Sequence, residues 1–144
     1  MESPPPPAPQ TPPPGRPLDV DTGFGLWLVA LPLLVIGQAA DTVLASGRPH
    51  GFIVYAATGV FLVMLCAVVV TFLFLMRQGY RWARSVLTGG GIATVVYVGT
   101  SLLTVQRSAA AAVLYAITAI LGSVLIAGGV YLLHRKDAHA YFTR

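Results

Sequence analysis

Charged side chains cut this chain into four long uncharged stretches. Nineteen residues without a formal charge separate Asp21 from Asp41, 28 separate Arg48 from Arg77, 22 separate Arg84 from Arg107 and 27 separate Arg107 from Arg135. Crossing about 30 Å of hydrocarbon at about 1.5 Å per residue takes about 20 helical residues, so each stretch holds one spanning helix and none holds two. Backbone polar groups in lipid must be satisfied within their own segment, and the stretches are continuously apolar with no period-two alternation, which excludes a barrel. The expected fold class is all-α: a polytopic membrane protein with four transmembrane helices in an antiparallel bundle, near 23–44, 52–76, 82–104 and 109–133. A content of 56% hydrophobic and 10% charged residues agrees, being far too apolar for a soluble domain of 144 residues.

The basic residues set the expected orientation. With the N-terminus in the cytoplasm, Arg16, Arg77, Arg81, Arg84, Arg135, Lys136 and Arg144 fall inside, whereas Arg48 and Arg107 fall outside. Seven against two obeys the positive-inside rule, and an even number of spans places both termini in the cytoplasm. The expected location is a bacterial plasma membrane, with several passes. The net charge of +4 then belongs to loops, so no nucleic-acid partner is expected. Connections near 45–51, 77–81 and 105–108 are short, which makes consecutive helices antiparallel neighbours and leaves no room for a soluble catalytic domain.

Nine of the eleven prolines lie in the first 17 residues. Residues 1–20 therefore read as a disordered, Pro-rich cytoplasmic arm and not as a secretory signal. The transmembrane domain covers 21–137 and an interfacial tail 138–144, in which Ala138, Tyr141 and Phe142 form a short apolar stripe suited to the membrane surface.

Asp41 is the one acidic residue inside an expected span, with Gln38 a turn before it and Thr42 beside it. Ionisable groups in the membrane are functional candidates. Counted from Gly23, however, Asp41 lies about 27 Å along its helix, near the outer interface, where Arg48 or Arg107 can pair with it. Asp41 with Gln38 is thus an interfacial salt-bridge site or, in the alternative, an ion-coupling one. Pro32 removes a backbone donor in mid-helix, leaving the Leu28 carbonyl without its usual partner, and a kink is expected there.

Small residues recur at packing intervals. Ser85, Gly89 and Ala93 follow one ridge of the third span and Gly91, Val95 and Gly99 another; Ala112, Ala116, Ala119, Ser123 and Ala127 line a face of the fourth. Small-xxx-small spacing lets backbones approach closely in lipid, so the third and fourth helices are expected to form the tightest pair, unless a ridge serves a second molecule. In the inner hairpin, Gly79 suits the left-handed residue that closes a helix, and Tyr80 and Trp82 suit the headgroup layer. Arg77, Arg81 and Arg84, with Arg135 and Lys136 at the fourth helix end, are candidate contacts to anionic lipid. Cys66 reads as a buried apolar filler, and His134 and His139, five residues apart, as interfacial polar groups and not a metal site.

The chain has no nucleophile elbow, no His-Glu-x-x-His, no Walker loop and no pair of carboxylates within one span. No catalytic role, cofactor or metal is expected. The run Gly79-Tyr80-Arg81-Trp82-Ala83-Arg84-Ser85-Val86-Leu87-Thr88, the entry Val20-Asp21-Thr22-Gly23-Phe24 and the ending Ala140-Tyr141-Phe142 resemble a group of small four-helix membrane proteins from actinobacteria. The resemblance covers the span region without the proline arm and implies no activity and no site residues. Small multidrug transporters also have four helices, but they carry a central glutamate in the first, and no glutamate follows Glu2 here. The expected function is a non-enzymatic accessory or assembly subunit that packs against itself or a larger membrane complex. The alternative is a small ion-coupled transporter built on Asp41, Gln38 and the Pro32 kink.

Overall fold

A computed structural model describes residue 15, residues 17–44 and 51–136, and residue 142. They form four helices: α1 (Leu18–Leu44), α2 (Phe52–Arg77), α3 (Arg81–Thr104) and α4 (Ala109–His134). All four are long and apolar enough to cross a membrane. Most of the expected arm and of the tail, and the connection holding Arg48, lie outside the described residues, while the last three residues of the arm, 18–20, belong to α1 instead.

Local chemistry explains where the helices start and stop. Asp19 and Asp21 occupy the first turn of α1, where the helix dipole favours negative charge. At the end of α2, Gly79 takes φ 90°, as the sequence predicts. Its N–H donates to the Met76 carbonyl at 2.9 Å and the Tyr80 N–H to the Leu75 carbonyl at 3.3 Å, the two bonds of a Schellman closure. Ser108 caps α4, its hydroxyl accepting from the Ala111 N–H at 3.4 Å. Pro32 is exposed, and α1 runs unbroken across it.

The closely packed pairs are α1 with α2, α2 with α3, α3 with α4, and α4 with α1, so among the described residues the four backbones close into a ring, and only side chains reach across the diagonal. The most extensive interface joins α1 to α4, and not α3 to α4 as the small-residue ridges predict. Glycines on both helices are the reason. A Cβ added to Gly129 would stand 2.6 Å from Trp27 Cδ1, one on Gly122 2.7 Å from Leu34 Cδ2, and one on Gly23 3.3 Å from Leu133 Cγ. On Gly37 it would collide with the Thr118 hydroxyl. Large side chains of each helix thus lie over glycines of the other, so the axes come close and dispersion contacts accumulate. The pairing runs from Gly23 with Leu133 to Gly37 with Thr118, numbers rising along α1 as they fall along α4.

Trp27 is the key of this core. Its indole is 6% exposed and also covers Gly91 of α3, whose added Cβ would lie 3.0 Å from Cη2. Its Nε1 has no hydrogen-bond partner among the described residues. The surrounding cluster includes Val20, Ala30, Ile126 and Leu133, with Leu73, Met76, Ala83 and Leu87 bringing in α2 and α3.

Candidate functional site

Polar clusters clamp the bundle at its two ends. At one end Arg107, in the turn between α3 and α4, meets Asp41 near the end of α1. Its Nε donates to Asp41 Oδ1 and its Nη2 to Oδ2 at 2.9 Å. Nη2 also donates to Ser101 Oγ at 2.9 Å, while Nη1 donates to the carbonyls of Ser101 at 2.8 Å and Val105 at 3.2 Å. A guanidinium has five N–H donors, and here five acceptors receive them. The Tyr115 ring lies 3.9 Å from Arg107 Cζ and adds a cation–π contact. The side chains are only 3% exposed for Arg107 and 17% for Asp41.

Of the two pairings the sequence offers Asp41, the one with Arg107 is formed, and Arg48 lies outside the described residues. The hydrogen bond to the carboxylate holds Arg107 above its ordinary pKa against the opposing effect of burial, so the guanidinium keeps its charge. One expectation changes. Distance along α1 suggests a hydrated, exposed pair, yet the ring of Tyr115 and the α3 end enclose it.

At the other end Asp21 Oδ1 lies 3.3 Å from Arg77 Nε, and Asp19 Oδ1 lies 3.4 Å from Arg135 Nη1. These partly exposed pairs are worth about 0–1 kcal/mol each. Arg77 also stands over Phe24, 5.0 Å from the ring centroid. Arg84 is 8% exposed and donates to the Leu133 carbonyl at 3.3 Å, satisfying a carbonyl in the last turn of α4. The Phe142 ring sits 4.9 Å from Arg84 Cζ and is itself 2% exposed. Phe142 is therefore part of the core and not of a surface stripe; Ala138 and Tyr141 lie outside the described residues.

The five bases expected at anionic lipid divide accordingly. Arg77 and Arg135 engage aspartates and Arg84 is buried, which leaves Arg81 and Lys136 exposed. Arg81→Gln should weaken binding to anionic vesicles by about 1 kcal/mol without changing unfolding in detergent. Arg84→Gln should do the reverse, lowering stability by about 1.5–3 kcal/mol, because it removes a charged donor from a buried carbonyl. Vesicle cosedimentation and detergent unfolding of the two variants separate the roles.

The remaining candidates are scattered. Gln38 is half-buried on the wall of a cavity that Cys66 also lines. Ser85, Gly89, Ala93 and Gly99 are exposed, and a Cβ on either glycine would meet nothing within 4 Å. Ala119 is buried, and Ala112, Ala116 and Ser123 are half-buried. His134 Nδ1 lies 2.9 Å from the Val130 carbonyl, and the described residues hold no cluster of three His, Cys, Asp or Glu that could bind a metal. Trp27, Ser101, Tyr115 and the two α1 aspartates at the second clamp escape a reading of the sequence. Asp19 and Asp21 alone left a signal there, as acids beside a heavily basic face.

Fold and clamps together define a class: an all-helical protein with four candidate membrane spans and ion-paired ends. No protein-family model matches the chain, and neither does any curated protein or solved structure.

Proposed function

We propose that the protein is a non-enzymatic integral membrane protein of a bacterial plasma membrane. In this reading it is an antiparallel bundle with both termini cytoplasmic, serving as an accessory or assembly subunit that packs against a second copy or a larger complex. The observation that carries this reading is the set of exposed small residues on α3. A Cβ added to Gly89 or Gly99 would meet nothing within 4 Å, and Ser85 is exposed one turn before Gly89. In lipid, small residues favour close contact between helices, whereas acyl chains gain little from a surface that lacks side chains.

Gly89→Leu combined with Gly99→Leu should abolish recovery of the native assembly in mild detergent. Unfolding of the monomer should stay unchanged, since neither glycine has an intramolecular neighbour to displace. A native complex or dimer that survives the double substitution sinks the reading. For the orientation, reporter fusions at Pro49 and after Arg144 should give opposite sidedness. The same sidedness at both points would mean a different number of spans.

The ion-coupled alternative needs a carboxylate open to its cargo. Asp41 has both oxygens engaged by Arg107. Proton uptake by reconstituted vesicles that disappears in Asp41→Asn, with assembly preserved, would restore that alternative.

A further inference from the structure

A cavity of about 520 Å³ opens between α1, α2 and α3, within the range of about 300–1,000 Å³ in which proteins hold small ligands. It exists because α2 is embedded only near its C-terminal end. Leu73 and Met76 are its buried residues, and none before them is buried. Along that earlier stretch Thr58, Leu62, Cys66 and Val69 line the opening.

The walls are graded. Gln38, Thr58 and Tyr97 each lie six or seven residues, about 10 Å, from the helix ends on the Asp41 side. Trp27, Val69 and Ile126 lie eight or nine residues from the opposite helix ends. The cavity therefore runs from a polar level to a purely apolar floor over about 16 Å, the rise from Trp27 to Gln38 along α1. Gln38 lies one turn, about 4.5 Å, below the Asp41–Arg107 pair. Its side-chain amide has no hydrogen-bond partner among the described residues. In hydrocarbon an amide costs free energy unless something supplies an acceptor, and the apolar floor below this level offers water no partners.

We propose that the cavity holds one acyl chain of a membrane lipid from the leaflet on the Asp41 side. The ester carbonyl of the chain accepts a hydrogen bond from the Gln38 amide, and the hydrocarbon descends past Cys66 and Ala93 to Trp27. The proposal rests on the four helices spanning a membrane, and it is independent of whether α3 meets a partner. Its occupant satisfies each feature of the wall: an acceptor at the polar level, hydrocarbon below, and entry from the side, where α2 leaves the bundle open to lipid.

Trp27 reports on the occupant directly. The chain has two tryptophans, so Trp82→Phe leaves Trp27 as the only indole. This protein is reconstituted into vesicles of phosphatidylcholine brominated deep in the acyl chains, and into unbrominated vesicles. Strong quenching of Trp27 is expected, because bromine reaches the cavity floor against an indole that protein otherwise covers. Ala93→Phe and Cys66→Phe, fills from two different helices, should each relieve the quenching with helical content retained. Ester lipid should be kept over its ether analogue by about threefold to tenfold through detergent purification, and Gln38→Leu should erase that preference. An unquenched Trp27 overturns the proposal. So does quenching that persists in both folded fill variants, which would place the bromines in the lipid around the bundle. Equal retention of ester and ether lipid by the wild type overturns the assignment of Gln38.

Discussion

Replacing Asp41 with asparagine should destabilise the bundle by about 3–5 kcal/mol, read from chemical unfolding in detergent micelles. The reason is the enclosure of Arg107, whose side chain is 3% exposed. Without the carboxylate, a guanidinium stays buried among Ser101, Val105 and Tyr115 with its charge uncompensated. A pair in free solvent would be worth only about 0–1 kcal/mol, and a loss in that range would show the pair to be hydrated. The double variant Asp41→Asn with Arg107→Gln should recover most of the loss, because no unpaired charge remains. A cycle built from the two single variants and the double one isolates the coupling between the residues. The expected pattern is one severe single variant and a milder double.

Gly128 and Gly129 are neighbours in sequence, yet alanine should act on them differently. An added Cβ at Gly129 would stand 2.6 Å from Trp27 Cδ1 and 2.9 Å from Nε1, too close for the indole to remain in place. At Gly128 it would meet only Leu26 Cδ1, at an ordinary 3.5 Å. Gly129→Ala should therefore cost about 1–3 kcal/mol through overpacking and shift the Trp27 fluorescence spectrum. Gly128→Ala should be neutral or stabilising by up to about 1 kcal/mol, since alanine is the better helix former. Equal effects at the two positions would mean that Trp27 is not keyed over α4.

Much of the architecture is legible in the order of the residues. Charges marked out four helices because burying a charge in hydrocarbon is costly, and the observed ends of α2, α3 and α4 agree with the expected spans within a residue. At α1 the helix begins at Leu18, five residues before the expected Gly23, since Asp19 and Asp21 are favourable in a first turn and find basic partners on α2 and α4. Gly79 was readable for the same local reason: a short link between two helices needs a left-handed residue, and only glycine takes that backbone at no steric cost.

Which helix faces which was not readable. Small residues occur on α1, α3 and α4, and a glycine looks the same in sequence whether it faces a tryptophan, as Gly129 does, or open surroundings, as Gly89 does. A weaker signal existed in the seven-residue spacing of Val20, Trp27, Leu34 and Asp41, alternating with Gly23, Ala30 and Gly37, which is the seam of two closely packed helices. Asp41 belongs to that seam, and this explains why depth along the helix misjudged its exposure. The sequence by itself determined the number of helices, the extents of α2, α3 and α4 and the turn at Gly79, because charge is costly in hydrocarbon and only glycine takes a left-handed backbone at no steric cost. Only the tertiary structure decided that α1 seats on α4, that Arg107 and not solvent surrounds the Asp41 carboxylate, and that a cavity remains beside Gln38. Those outcomes depend on how side chains of particular shapes fit across helices far apart in the chain.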